Sequence, residues 1–239
     1  MEAINVLGGV TYVAFSHAYL ILYVPLIWAL YRLCKTTPSF ILFLSSSVAD
    51  ALTFLQFGLF GIAILTKVDL PFLSLIPVEL HYMLFAALLW APLQWHYTAI
   101  AALRTCAVLL PTQFQTIFSH GRCLLVVAAV WLLGVVIETA TVLAMPAEAL
   151  WTWDRDSLGL GPVNISVFVE STLPTVWLVI NGLSLALPVV CYGAALVGVL
   201  YFKTLRNALK NSNTERRMMA ICLINFLLFG SISIYKYVH

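Results

Sequence analysis

"FILFLSSSVADALTFLQFGLFGIAIL", residues 40–65, is the stretch on which the fold turns. It exceeds the roughly 20 apolar residues a helix needs to cross the hydrocarbon core of a bilayer, and it carries a single charge, Asp50. A strand of a membrane barrel would instead alternate over about ten residues. This run is continuous, so it reads as a membrane-spanning helix. The same ruler finds five more spans, at residues 10–33, 78–110, 123–145, 174–202 and 218–235, the last marginal in length. The chain is therefore expected to be an all-α membrane protein: a bundle of six transmembrane helices forming a single domain over residues 1–239. Composition points the same way. Hydrophobic residues make up 62% and charged residues only 9%, against about 25% charged in soluble domains. Lipid is the partner such a chain demands. A net charge of +2 gives no basis for nucleic-acid binding. The start, "MEAINV", has an acid and no basic residue, so the first span reads as a retained anchor rather than a cleaved signal.

Orientation follows from the basic residues. Arg32, Lys35, Arg104, Arg122, Lys203, Arg206, Lys210, Arg216 and Arg217 follow spans one, three and five; Lys67, Arg155 and Lys236 lie on the other side. Nine against three predicts that the first set is cytoplasmic and the amino terminus outside. The tripeptide "NIS" at Asn164, a glycosylation acceptor, falls in the long loop 146–173 on the predicted outer side. In the same loop "GLG", residues 159–161, has none of the context of a phosphate loop and reads as a turn.

A charge in mid-bilayer costs about 2.5–3.5 kcal/mol on insertion scales, so each one asks for a reason. Asp50 lies in the middle of span two, where the three serines before it could hydrogen-bond it or a watery cavity could hold it. Glu138 falls in the outer half of span four, where reaching the interface and touching a ligand are comparable readings. His96 reads as a histidine packed between helices. Arg104 closes span three at the inner boundary, where a guanidinium can snorkel to water. Cys34, Cys106, Cys123, Cys191 and Cys222 are scattered singly and read as small packing residues, with no metal-ligand spacing and no cofactor implied.

Around Arg104 the spacing carries more. "ALRTCAVLLPTQFQTIFS" places Ala107 three and Pro111 seven residues after the arginine, then Phe114 and Ile117-Phe118-Ser119, with Trp131 in span four. This resembles the rhodopsin-like G-protein-coupled receptors, whose third helix ends in Asp-Arg-Tyr with that alanine and proline spacing. Within them it is most similar to the nematode serpentine chemoreceptors of the Srx, Srv and Srt type. Asp50 fits the helix-two acid of that superfamily and Pro188 its helix-five proline. The resemblance implies a chemosensory receptor that binds a small molecule in the outer half of the bundle and engages a heterotrimeric G protein through the inner ends of spans three, five and six. Asp50 would be its polar hub and Arg104 its switch. Leu103, where the family has an acid, cannot pair, so Glu215, at the opening of span six, is the implied partner of Arg104. Tyr82, Trp90, Glu138 and Asn181 place aromatic or polar groups in the outer half and are the candidate ligand wall.

The chain also departs from that pattern. It lacks the helix-one asparagine, the cysteines of the outer disulfide, and the Trp-x-Pro of helix six; it ends at His239 without a seventh span. The expectation is an incomplete seven-helix receptor fold, truncated and destined for the plasma membrane or retained in the endoplasmic reticulum. The alternative is a six-span transporter or channel subunit, which would show broken helices repeated in two halves. Pro25, Pro92 and Pro188 interrupt spans one, three and five, but not at matched places. No catalytic set at helical spacing supports an enzyme.

Overall fold

The computed structural model describes residues 2–67, 89–154 and 159–205. Its main helices are α1 (Glu2–Cys34), α2 (Phe40–Thr66), α3 (Ala91–Leu109), α5 (His120–Ala144) and α7 (Leu173–Leu205). Short helices α4 (Phe114–Ile117) and α6 (Ile165–Glu170) lie in the connections. Four segments are long and apolar enough to cross a membrane: Asn5–Cys34, Phe40–Thr66, His120–Ala144 and Pro174–Gly198. The chain is thus an all-α membrane protein. These four correspond to expected spans one, two, four and five. Of expected span three only the part from residue 89 is described, and span six, 218–235, lies outside the described residues, as do Tyr82 and Glu215.

The termini of the helices follow from local chemistry. After α1, the Thr37 amide closes a last turn on the Leu33 carbonyl (2.8 Å) and Pro38 forbids its continuation. The second helix ends on Lys67, which takes the left-handed conformation (φ 55°) common at helix C-termini. The third stops at Leu109, two residues before Pro111. Prolines do less than expected elsewhere. Both α1 and α7 run through Pro25 and Pro188 as continuous helices, so those residues do not interrupt their spans. Pro92 sits in the first turn of α3, where a missing N–H costs nothing, directly after a π-helical turn at Leu89 and Trp90.

Helix α3 is the axis of the bundle, packed against α2, α5 and α7. That explains its composition. With Gln94, His96, Thr98, Arg104 and Thr105 it is too polar to face lipid, and Gln94 and His96 are instead buried by neighbouring helices. At one end, Cys34, Ile41, Leu42, Ile100, Leu103 and Cys123 form a common core, with Phe43, Phe114 and Phe118 against it. The end of α1, the start of α2, the end of α3 and the start of α5 therefore meet there. Helix α7 runs parallel to α3, because Gln94 meets Asn181 at one level and Thr105 meets Cys191 at another.

Helix α1 packs chiefly on α2, along a seam of small residues. A Cβ built on Gly61 would stand 2.8 Å from the Gly9 carbonyl oxygen and 2.8 Å from the Tyr12 Cβ; one on Gly58 would meet the Ser16 Cβ at 3.3 Å. Only glycine lets the two backbones approach this closely.

Across the opposite end lies a cap. Strands β1 (Trp151–Asp154) and β2 (Gly159–Pro162) form an antiparallel hairpin, with Trp151 paired to Pro162 and Asp154 to Gly159. The expected turn at 159–161 is therefore a strand. Glycine is a weak strand former, but here the ladder to β1 supplies the order that local preference lacks. The Val163 amide bonds the Leu150 carbonyl (3.0 Å), and Leu150, fully buried, packs on Val142, Met145 and Trp177, so the connection folds back onto the ends of α5 and α7. Asn164 caps α6: its Oδ1 accepts from the amides of Ser166 (3.1 Å) and Val167 (3.5 Å).

Candidate functional site

Three polar clusters are strung along α3. The first joins it to α7. Asn181 Nδ2 donates to the Trp177 carbonyl (2.8 Å), which leaves its Oδ1 to accept from Gln94 Nε2. Gln94 Oε1 then faces the Ser184 hydroxyl (3.3 Å), which also lies 2.9 Å from the Asn181 carbonyl. Gln94, Asn181 and Ser184 are all buried, so this network is sealed from lipid. Just below it, Pro188 has no N–H to offer the Ser184 carbonyl four residues earlier. Thr98 Oγ1 on α3 donates to that carbonyl at 3.4 Å. Two turns further the Thr105 hydroxyl lies 2.7 Å from the Cys191 carbonyl and 2.9 Å from the Ala101 carbonyl of its own helix.

The second cluster ties α3 to α2 and α5. His96, fully buried, has Nδ1 2.7 Å from the Pro92 carbonyl and Nε2 2.8 Å from Ser45 Oγ. A carbonyl only accepts, so the ring proton belongs on Nδ1 and Nε2 is the acceptor. Ser45 therefore donates to His96, and its oxygen accepts the Trp131 indole N–H at 2.9 Å. The His96 and Trp131 rings meet edge to face at 5.7 Å. Every polar atom in this three-helix knot has its partner. His96 is a helix-interface residue, and Trp131, singled out by the resemblance, is what pins α5 to α2.

The third region is the Arg104 end. Its guanidinium carbon stands 4.9 Å from the centre of the Phe43 ring on α2. The Arg104 Nε is buried and has no hydrogen-bond partner among the described residues. The expected pairing with Glu215 falls outside them. Leu103, where the resembling receptors have an acid, is buried in the core at this end.

Of the other expected site residues, Asp50 accepts from the Tyr23 hydroxyl of α1 at 3.0 Å. Ser45, the first of the three serines expected to serve it, is committed to His96 and Trp131. Glu138 is 4% exposed within α5, and Trp90 is half-buried in the π-helical turn before α3. Asn181 belongs to the α3–α7 network. Tyr23, Gln94, Thr98, Thr105 and Ser184 were not anticipated. Their signal in the sequence is polarity within apolar spans, which marks a residue as buried but does not name its partner. No group of three His, Cys, Asp or Glu side chains that could hold a metal occurs among the described residues.

Compared with known proteins, the chain matches no family model, and no curated protein matches it significantly.

Proposed function

We propose that this protein is a chemosensory receptor of the rhodopsin-like kind, with its amino terminus outside the plasma membrane and the Arg104 end facing a heterotrimeric G protein. The observation that carries the reading is the central place of α3. Its outer part shares a buried amide network with α7, its middle is locked to α2 and α5, and its other end presents Arg104 beside Phe43. A ligand entering near Trp90, Glu138 and Asn181 would have to compete with Gln94 and Ser184 for the Asn181 amide. That competition would loosen α3 from α7 at one end of a continuous helix whose other end carries Arg104. The ligand would shift the population of packings by its differential affinity for them and by no more.

The test is expression of the chain, alone and extended by the seventh helix of a related receptor, with a reporter of G-protein activation during a screen of small volatile and soluble molecules. Agonist-dependent activation that is lost in Arg104→Ala and altered in dose in Asn181→Ala is the expected result. Ligand-dependent ion or solute flux in reconstituted vesicles, without G-protein activation, would overturn it in favour of a transporter or channel subunit.

A further inference from the structure

Two cations, Arg32 on the last turn of α1 and Lys35 just past its end, are folded back onto aromatic rings. The Arg32 guanidinium stands 5.0 Å from the centre of the Trp28 ring, and the Lys35 ammonium 4.8 Å from that of Tyr31. In each pair the aromatic lies four residues earlier, about one helical turn nearer the middle of the bilayer. The cations are therefore turned toward the membrane rather than away from it. Both rings are open to the surroundings, with Trp28 58% and Tyr31 49% exposed. The 30 residues of Asn5–Cys34 span about 45 Å as a helix, the thickness of a bilayer with its headgroups. That length puts Arg32 and Lys35 at the level of the phosphates and the two rings just beneath them.

Among the described residues no carboxylate lies at this end to neutralise them. The described segments that meet at this end, 32–43, 100–126 and 195–205, hold Arg32, Lys35, Arg104, Arg122 and Lys203 but no Asp or Glu. Of the described acids outside mid-membrane, Glu2 opens α1 and Glu148, Asp154 and Glu170 belong to the connection between α5 and α7, all at the other end.

We propose that this edge of α1 is a binding site for an anionic phospholipid, with Arg32 and Lys35 holding the headgroup phosphate and Trp28 and Tyr31 packing beside the glycerol and upper acyl chain. Charge complementarity selects this occupant. A second copy of the chain would bring the same cations to the contact and be repelled, and a soluble acidic partner would not reach rings that lie below the headgroups. The aromatic faces hold the cations in place, so little side-chain freedom is lost when the phosphate arrives.

The experiment uses the full chain in phosphatidylcholine vesicles with spin-labelled phosphatidylserine or phosphatidylcholine as the probe. The expected result is preferential association of the anionic probe, reduced about fivefold for each cation replaced in Arg32→Gln and Lys35→Gln. Lys67→Gln, at the opposite end, keeps the preference. Trp28→Leu with Tyr31→Leu, which retains both charges, lowers it. The unaltered chain gives a readout free of folding effects, since the preference should fall as salt is raised and the Debye length shrinks. Equal association of the two probes with the unaltered chain, or a preference undiminished in Arg32→Gln/Lys35→Gln, would overturn the site. A preference untouched by loss of the two rings would reduce it to surface charge and overturn it equally.

Discussion

Pro188 lacks the N–H that would hold the Ser184 carbonyl, and Thr98, on a different helix, donates to that carbonyl instead. A backbone defect in α7 is thereby turned into a contact with α3. Thr98→Val keeps the shape and removes the donor, and it should cost about 1–2 kcal/mol, the penalty of an orphaned buried carbonyl. In a Pro188→Ala background the Ala amide restores the helical bond, so the same substitution should cost only a few tenths. Thermal unfolding of the four proteins in detergent measures the coupling; strict additivity would show that Thr98 merely fills space. Ser45 stands at a similar junction. Ser45→Ala removes at once the acceptor of the Trp131 N–H and the donor to His96 Nε2. A loss of about 2–3 kcal/mol is expected, because the buried His96 Nε2 and the half-buried Trp131 N–H both lose their partner.

At the scale of elements, lipid makes spans readable and faces obscure. Helix α2, Phe40–Thr66, and helix α5, His120–Ala144, lie within a few residues of the expected 40–65 and 123–145, since a bilayer enforces a minimum continuous apolar length. Rotation about each axis has no such signature: α1 and α2 carry apolar residues all round with a few polar ones among them, and their contact is decided by where backbones can approach. Gly9, Gly58 and Gly61 carry that information, and Asp50 found its partner in Tyr23 only once the seam had set the register. The polar partners along α3 were illegible for the same reason, since which residue of α7 faces Gln94 depends on vertical register between helices far apart in sequence. The hairpin was missed because a "GLG" strand carries no strand propensity of its own. Gly61→Leu should force α1 away from α2, with a loss of about 1–3 kcal/mol from overpacking. Gly193, around which a Cβ would meet nothing within 4 Å, is the control, and Gly193→Ala should change stability little. Equal tolerance of both substitutions in a protease-resistance assay would show that the α1–α2 seam is looser than its geometry.

For the whole molecule, the question that joins fold to function is which end faces the cytosol. The described segments at the Arg104 end hold Arg32, Lys35, Arg104, Arg122 and Lys203, while those of the capped end hold Lys67 as their one Lys or Arg. That separation favours the Arg104 end inside. Asn164 provides the test, because it is exposed on the capped end and its side chain has two separable roles. Its Oδ1 caps α6, whereas a glycan would be attached through Nδ2, so capping and modification are compatible at one residue. The expected outcome in cells is a glycosidase-sensitive mobility shift of the unaltered chain. It should vanish in both Asn164→Gln and Asn164→Asp. Aspartate remains a good N-cap, so Asn164→Asp should keep its stability, while Asn164→Gln should lose about 1 kcal/mol or less. That difference separates a missing glycan from a damaged loop. An unmodified Asn164, together with glycosylation of an acceptor engineered at Gln113 between α3 and α4, would place the capped end in the cytosol. Arg104 would then face away from any G protein, and the receptor reading would fall with the orientation.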